Sequence, residues 1–181
     1  MSVKITYFVH GTTTDNEADL ATGWQDGVLS AVGIEQTKKL GEQVADKNFD
    51  IVFCSDLKRA VDSAELIFGN RCNIIQDARL RECDYGDMTG KSAKEFKDDL
   101  IDFVDHPFNN GESYKDVEKR ISSFVNFLKE KYDGKSVAIV AHQAPQLALD
   151  VVLRDRTWKQ AIDEDWRKTK AWQPGWEYEV K

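Results

Sequence analysis

Cysteine, proline and histidine are scarce in this chain: its 181 residues hold three of each. Cys54, Cys72 and Cys83 are an odd set without metal-ligand spacing. They make no disulfide framework, and reduced thiols are expected. No linker, repeat or low-complexity stretch divides the chain. One domain over residues 1–181 is expected, long enough for a sizeable core. Long hydrophobic runs are missing, and the N-terminus has no signal-peptide pattern. The expectation is a cytoplasmic protein with no membrane partner. Excess positive charge is missing as well. Lys and Arg number 25 against 32 Asp and Glu, a formal charge of −7, which argues against a nucleic-acid partner. An anionic ligand is not drawn in by net charge and needs a local positive pocket. Clustered metal ligands are also lacking. The one close pair, Asp105-His106, precedes Pro107 and Asn109-Asn110-Gly111, a plain loop, so no metal or other cofactor is expected.

What is present is an alternation of strand and helix patterns. Residues 3–9 read as a strand. A helical stripe of Ile34, Thr37, Leu40 and Val44 follows, then the short buried strand Ile51-Val52-Phe53-Cys54. Asp56 is placed to cap a helix with the inner face Leu57, Ala60, Val61, Ala64 and Ile67. Asn73-Ile74-Ile75 reads as a strand. Ser92 with Glu95, Ser113 with Asp116 and Thr157 with Gln160 have the spacing of helix starts. The second of these helices buries Val117, Ile121, Phe124, Val125 and Leu128. Residues 137–141 read as a strand, with a helix after Pro145, and Trp176 to Val180 as a closing strand. Alternation of this kind predicts an α/β, doubly wound three-layer sandwich around a mostly parallel sheet.

Two of the three histidines end apolar runs. Ile5-Thr6-Tyr7-Phe8-Val9 leads into His10, and Val137-Ala138-Ile139-Val140-Ala141 leads into His142. In an open parallel sheet the crevice beyond the strands' carboxyl ends is where ligands bind. A neutral imidazole there is a fit nucleophile toward phosphorus, and Arg59 can supply a planar cation for phosphate. Read as isolated residues, His10 and His142 are equally ordinary core histidines, Arg59 a surface arginine and Glu82 a solvated loop carboxylate. A cysteine-phosphatase loop is excluded on spacing. Cys54 to Arg59 is one residue short, so Cys54 reads as a buried strand residue.

The same residues carry a resemblance. Val9-His10-Gly11-Thr12-Thr13-Thr14-Asp15-Asn16 is followed by Ala21-Thr22-Gly23-Trp24-Gln25-Asp26 and Leu29-Ser30 with Gly33. Then come Ser55-Asp56-Leu57-Lys58-Arg59-Ala60, Leu80-Arg81-Glu82-Cys83-Asp84-Tyr85-Gly86, Gly111-Glu112-Ser113 and His142. In this order and spacing the chain resembles the histidine phosphatase superfamily, the phosphoglycerate-mutase-like proteins. The resemblance implies His10 as nucleophile through phosphohistidine. It implies His142 and Arg59 as stabilisers of the phosphoryl oxygens and Glu82 as proton carrier. It places Thr13, Asn16, Thr22, Gly23 and Tyr85 against phosphate or substrate.

Two positions depart from the pattern. Val9 stands where the family has the Arg of Arg-His-Gly, and Gln143 stands where it has Gly. Gln143 either adds a donor to the site or packs. The charge absent at position 9 leaves three outcomes: a slow enzyme, another cation (Arg81, Arg154, Arg156 or Arg167) reaching in, or a member that binds a phosphorylated ligand without turnover. From about Arg154 on, the chain falls outside the strong resemblance and holds four of the five tryptophans, Trp158, Trp166, Trp172 and Trp176. They either pack the last elements onto the sheet or wall the substrate site. The expected activity is hydrolysis of a small phosphorylated metabolite, a phosphomonoester. A catalytically weak binding or regulatory member is the alternative. A mutase is less favoured, because the chain lacks the long insertions of that branch.

Overall fold

Strand β1 (Val3–Val9) is buried on both faces, as a central parallel strand must be. Ile5 and Tyr7 enter the larger core, and Phe8 enters a smaller one on the opposite face. The computed structural model describes residues 1–181. Its other strands are β2 (Ile51–Cys54), β3 (Ile74–Gln76), β4 (Ser136–Ala141) and β5 (Trp176–Val180). They form one sheet in the order β3-β2-β4-β1-β5. All pairings are parallel except that of β5 with β1. Along β5 burial alternates: Trp176, Tyr178 and Val180 face inward and the glutamates between them face solvent. That is the pattern of an antiparallel strand at the sheet edge.

Helices cover both faces. Helices α2 (Ala31–Gln43) and α3 (Lys58–Phe68) pack on the smaller core with Phe8, Val52, Cys54 and Val140. Helices α4 (Tyr114–Lys131) and α5 (Gln143–Arg154) pack on the larger core with Ile5, Tyr7, Phe53, Val137 and Ile139. The three-layer α/β sandwich is as the alternation of patterns predicts. No helix is long and apolar enough to cross a membrane.

Helix starts at Ser113 and at Thr157 are capping boxes closed by Asp116 and Gln160; the latter begins α6 (Trp158–Asp163). Other expectations need correction. Asp56 does not cap α3. The N-cap is Leu57, without a side-chain bond, because the Asp56 carboxylate accepts two hydrogen bonds from Arg81, at 2.7 and 2.6 Å. Ser92 opens a single turn of 3₁₀ helix rather than a longer helix. Helix α5 begins at Gln143, ahead of Pro145. Pro145 lies in the first turn, where its missing N–H costs no intrahelical bond. Two short helices carry no pattern long enough to anticipate, α1 (Thr14–Glu17) and α7 (Trp166–Thr169).

Strands β1 and β4 lie side by side in register, with Val9 opposite Ala141. Helix α2, beyond the short α1, and helix α5 pack on opposite faces of the sheet. A crevice opens beyond the carboxyl ends of this pair.

Candidate active site

The register of β1 and β4 brings His10 and His142 together, each one residue past its strand. The His10 N–H donates to the Ala141 carbonyl at 3.0 Å, and the two ring centroids are 5.0 Å apart. Both rings line a polar cleft of about 270 Å³ with Arg59 and Glu82.

His10 is held in one tautomer. Its Nδ1 lies 2.7 Å from the Gly11 carbonyl oxygen, which only accepts, so Nδ1 carries the proton and Nε2 keeps its lone pair. The turn that places this carbonyl is tight. A Cβ on Gly11 would collide with the Thr37 hydroxyl and the Gly33 carbonyl in the first turns of α2. The Gly11 N–H donates to Ser63 Oγ, and that hydroxyl donates to the Arg59 carbonyl. Desolvation and the nearby Arg59 charge lower the His10 pKa from 6.5 to about 3. The ring is therefore neutral, and nucleophilic, across the physiological range.

His142 is fully buried at the N-cap of α5. Tyr7 Oη donates to its carbonyl at 2.6 Å and fixes the backbone. Neither ring nitrogen has a hydrogen-bond partner within the protein. Burial first, then the charge of Arg59, holds its pKa well below the ordinary value. An unpartnered N–H buried in a polar cleft is costly unless a ligand oxygen accepts it.

Arg59 lies in the first turn of α3 with 2% of its surface exposed. Nη1 donates to the Gln25 carbonyl and Nη2 to the Gly23 carbonyl, at 2.9 and 2.8 Å. Gly23 adopts a φ of +52°, the left-handed turn that aims its carbonyl at the guanidinium. The two carbonyls orient the fork without neutralising it.

Glu82 is buried, not the solvated loop carboxylate that its local sequence suggests. Oε1 accepts from the Cys83 and Ala144 N–H groups, each at 2.9 Å, and Oε2 accepts from the Gln143 N–H at 3.1 Å. The carboxylate thus caps the start of α5, where the helix dipole favours negative charge. Its loop is held from outside by Arg120 of α4. Arg120 donates to the Arg79, Arg81 and Glu82 carbonyls while pairing with Glu112. Trp24 Nε1 also donates to the Glu82 carbonyl, at 2.7 Å. Arg120 was readable in principle as a charge set into the apolar stripe of Val117, Ile121 and Phe124.

Asn16, Thr22, Gly23, Tyr85 and Gln143 all line the cleft. Thr13 does not, although the resemblance placed it there. Its hydroxyl accepts from the Asn16 N–H while Asn16 Oδ1 accepts from the Thr13 N–H, a capping box at the start of α1. Thr12 takes its place in the cleft lining. Cys54 is buried on the smaller core, and desolvation pushes its thiol up to about 12, which leaves it inert. Of the four arginines considered as replacement cations, three are engaged away from the cleft lining. Arg81 pairs with Asp56, Arg154 with Asp150, and Arg156 with Glu164. Arg167 of α7 lines the cleft, beside Trp166.

Residues 7–175 match the profile of the histidine phosphatase superfamily (branch 1). The chain is 30% identical over 178 residues to a 2,3-bisphosphoglycerate-dependent phosphoglycerate mutase of Rhizobium meliloti strain 1021, spanning 90% of this chain and 84% of that one. It is 26% identical over 156 residues to phosphoserine phosphatase 1 of Hydrogenobacter thermophilus, spanning 81% and 74%. Among solved structures, a mycobacterial glucosyl-3-phosphoglycerate phosphatase in complex with VO3 superposes with a TM-score of 0.77 at 24% identity. That overlay covers 90% of this chain and 86% of that one, and it establishes likeness of fold. The sheet order, the pair of histidines at its carboxyl edge and a match across nearly the whole sequence agree: this chain belongs to the histidine phosphatase superfamily, among relatives that are phosphatases and phosphoglycerate mutases.

Proposed function

We propose that residues 1–181 act as one domain that hydrolyses a small phosphomonoester through a phosphohistidine at His10. The observation that carries this reading is the His10 ring itself. Its Nδ1–H is committed to a carbonyl, and its Nε2 lone pair stands in a cleft beside a buried arginine and an unpartnered imidazole.

The chemistry divides into two transfers. His10 Nε2 attacks phosphorus as the ester P–O bond breaks, and the leaving oxygen takes a proton from the Glu82 carboxylic acid. Water then attacks phosphorus, Glu82 takes a proton from it, and the N–P bond breaks to release phosphate. Arg59 and the His142 N–H stabilise the charge that builds on the equatorial oxygens. Asn16, Thr22, Gly23 and Tyr85 bound the space beside the phosphoryl group, and Gln143 lines it at the helix start.

Mutase and phosphatase differ in the fate of the phosphoenzyme. A mutase must keep its phosphohistidine from water. Here a second groove of about 540 Å³, lined in part by His10, Thr12 and Trp166, opens beside the cleft. An open flank of this size favours hydrolysis.

The test is phosphate release from sugar phosphates, phospho-acids and nucleotides, with acid-labile labelling of the protein read alongside. Turnover and a label on His10 are expected, and both disappear in His10→Ala. Normal turnover in folded His10→Ala refutes the mechanism. Ligand binding without turnover in the unaltered protein supports the alternative, a non-catalytic member.

A further inference from the structure

We propose that Arg167 is the second cation that binds the phosphoryl group in this cleft, and that Gln143 and Asp165 position it. Its role rests on the phosphatase reading above.

Charge balance first calls for such a group. A phosphomonoester brings about 1.5–2 negative charges at neutral pH. Glu82, also in the cleft, receives the ester as its acid in the hydrolysis proposed above and offsets none of that charge. Both imidazoles are held neutral. Arg59 alone leaves an excess of negative charge in a buried site. Lys97 and Arg167 are the other basic residues that line the cleft. Lys97 is exposed and its charge is screened by water. The Arg167 side chain is 27% exposed.

Arg167 is also held in place. Nη1 donates to Asp165 Oδ1 at 2.9 Å, and the guanidinium lies over the Trp166 ring, 4.4 Å from its centre. Its remaining contacts, Nη1 and Nη2 to Gln146 Oε1, are long at 3.4 Å each. Only one nitrogen is tightly committed, so the fork retains donors for an oxyanion.

The anchor is built into the site. The Asp165 side chain is 2% exposed. Its carboxylate accepts from the Arg167 N–H and Nη1 and from Gln143 Nε2. Gln143 directly follows His142. One chain of bonds therefore runs from the end of β4 through Gln143 and Asp165 to Arg167. Gln143 spends its amide on this anchor, and its part in the cleft is to hold the cation. The Arg167 charge is close enough to help lower the pKa of both His10 and His142.

Inorganic phosphate is the probe, with binding measured by titration calorimetry on the full chain and turnover measured with p-nitrophenyl phosphate. Arg167→Met should weaken phosphate binding about tenfold to a hundredfold, the value of one charge-assisted contact. Arg167→Lys should recover part of it, and Arg156→Met should bind as the unaltered protein does. Gln143→Gly frees the anchor and should raise KM with the fold intact by circular dichroism. Phosphate affinity unchanged in Arg167→Met, or an equal loss in Arg156→Met, overturns the assignment. A protein that binds phosphate yet hydrolyses nothing refutes the phosphatase reading alone, because the affinities still decide the role of Arg167. No measurable phosphate affinity in the unaltered protein overturns both.

Discussion

Protonating His10 should cost this protein stability at mildly acidic pH. Unfolded, the ring titrates near 6.5; folded, desolvation and the Arg59 charge lower it to about 3. The folded state therefore resists a proton that the unfolded state accepts. The stabilisation is fully present above the unfolded pKa and is lost as pH falls from 6.5 toward 3. The gap is worth ~5 kcal/mol below both values, and ~2 kcal/mol at a pH of about 5. The ring is half-buried, which makes these figures upper ones. His10→Asn removes the titration from both states while keeping a side-chain N–H for the Gly11 carbonyl. Urea unfolding of both proteins from neutral pH down to a pH of about 4.5 isolates the effect, because groups that do not interact with His10 cancel in the difference. Stability should fall more steeply with acid in the parent than in His10→Asn, and the two curves should converge by ~2 kcal/mol at a pH of about 5. His142→Asn should flatten the curve in the same sense. The two effects should not add, since a charge on one ring opposes a charge on the other. Parallel curves for parent and His10→Asn would refute the account of a desolvated, neutral nucleophile.

Arg59→Ala should raise KM and lower kcat together, reducing kcat/KM by about a hundredfold to a thousandfold in a steady-state assay. It also strips the donor from the Gly23 and Gln25 carbonyls, so a lower melting temperature is expected. Glu82→Gln should lower mainly kcat and flatten one limb of the pH profile. Full activity with the parental profile removes Glu82 from the mechanism. Val9→Arg should lower kcat/KM by about tenfold and destabilise the fold by ~1–3 kcal/mol, because position 9 packs on the larger core and lines the space near Trp166 and Arg167. A gain in phosphate affinity in Val9→Arg would show that the cleft is short of charge and that Arg167 does not supply it.

What could be read from the sequence was what neighbours along the chain decide. The strands that end at Val9 and Ala141 declare themselves by short apolar runs rich in β-branched residues. The starts of α4 and α6 declare themselves through Ser113 with Asp116 and Thr157 with Gln160, residues that bond each other across one turn. The misplacements have the opposite origin. Asp56 has the right spacing for a cap, but Arg81, 25 positions away, takes its carboxylate with two charge-assisted bonds. Thr13 sits in the right motif, but its hydroxyl is spent on a four-residue helix too short to leave a periodic signal. Glu82 looks solvated because nothing nearby in sequence shows that the start of α5, some 60 positions on, will supply two of its N–H donors. The Gly11 carbonyl that fixes the His10 tautomer has no side-chain signature at all.

Positions 9 and 143 line the same cleft. Val9 ends β1 beside the cleft and lines it together with Trp166 and Arg167. Gln143 opens α5 from the neighbouring strand and reaches the same C-terminal segment through Asp165. A glycine at 143 has no side chain with which to make that bond. The tryptophans around this segment divide accordingly. Trp158 and Trp176 are buried in the larger core, and Trp166 stacks on Trp176 with ring centres 5.3 Å apart. That stack fixes the start of α7 against the sheet, so Arg167, the next residue, is held at the cleft. Trp172 is half exposed and walls the neighbouring groove. Packing and walling are therefore not competing uses of the tryptophan-rich end. The buried rings anchor the segment that brings a cation to a site whose first strand ends in valine.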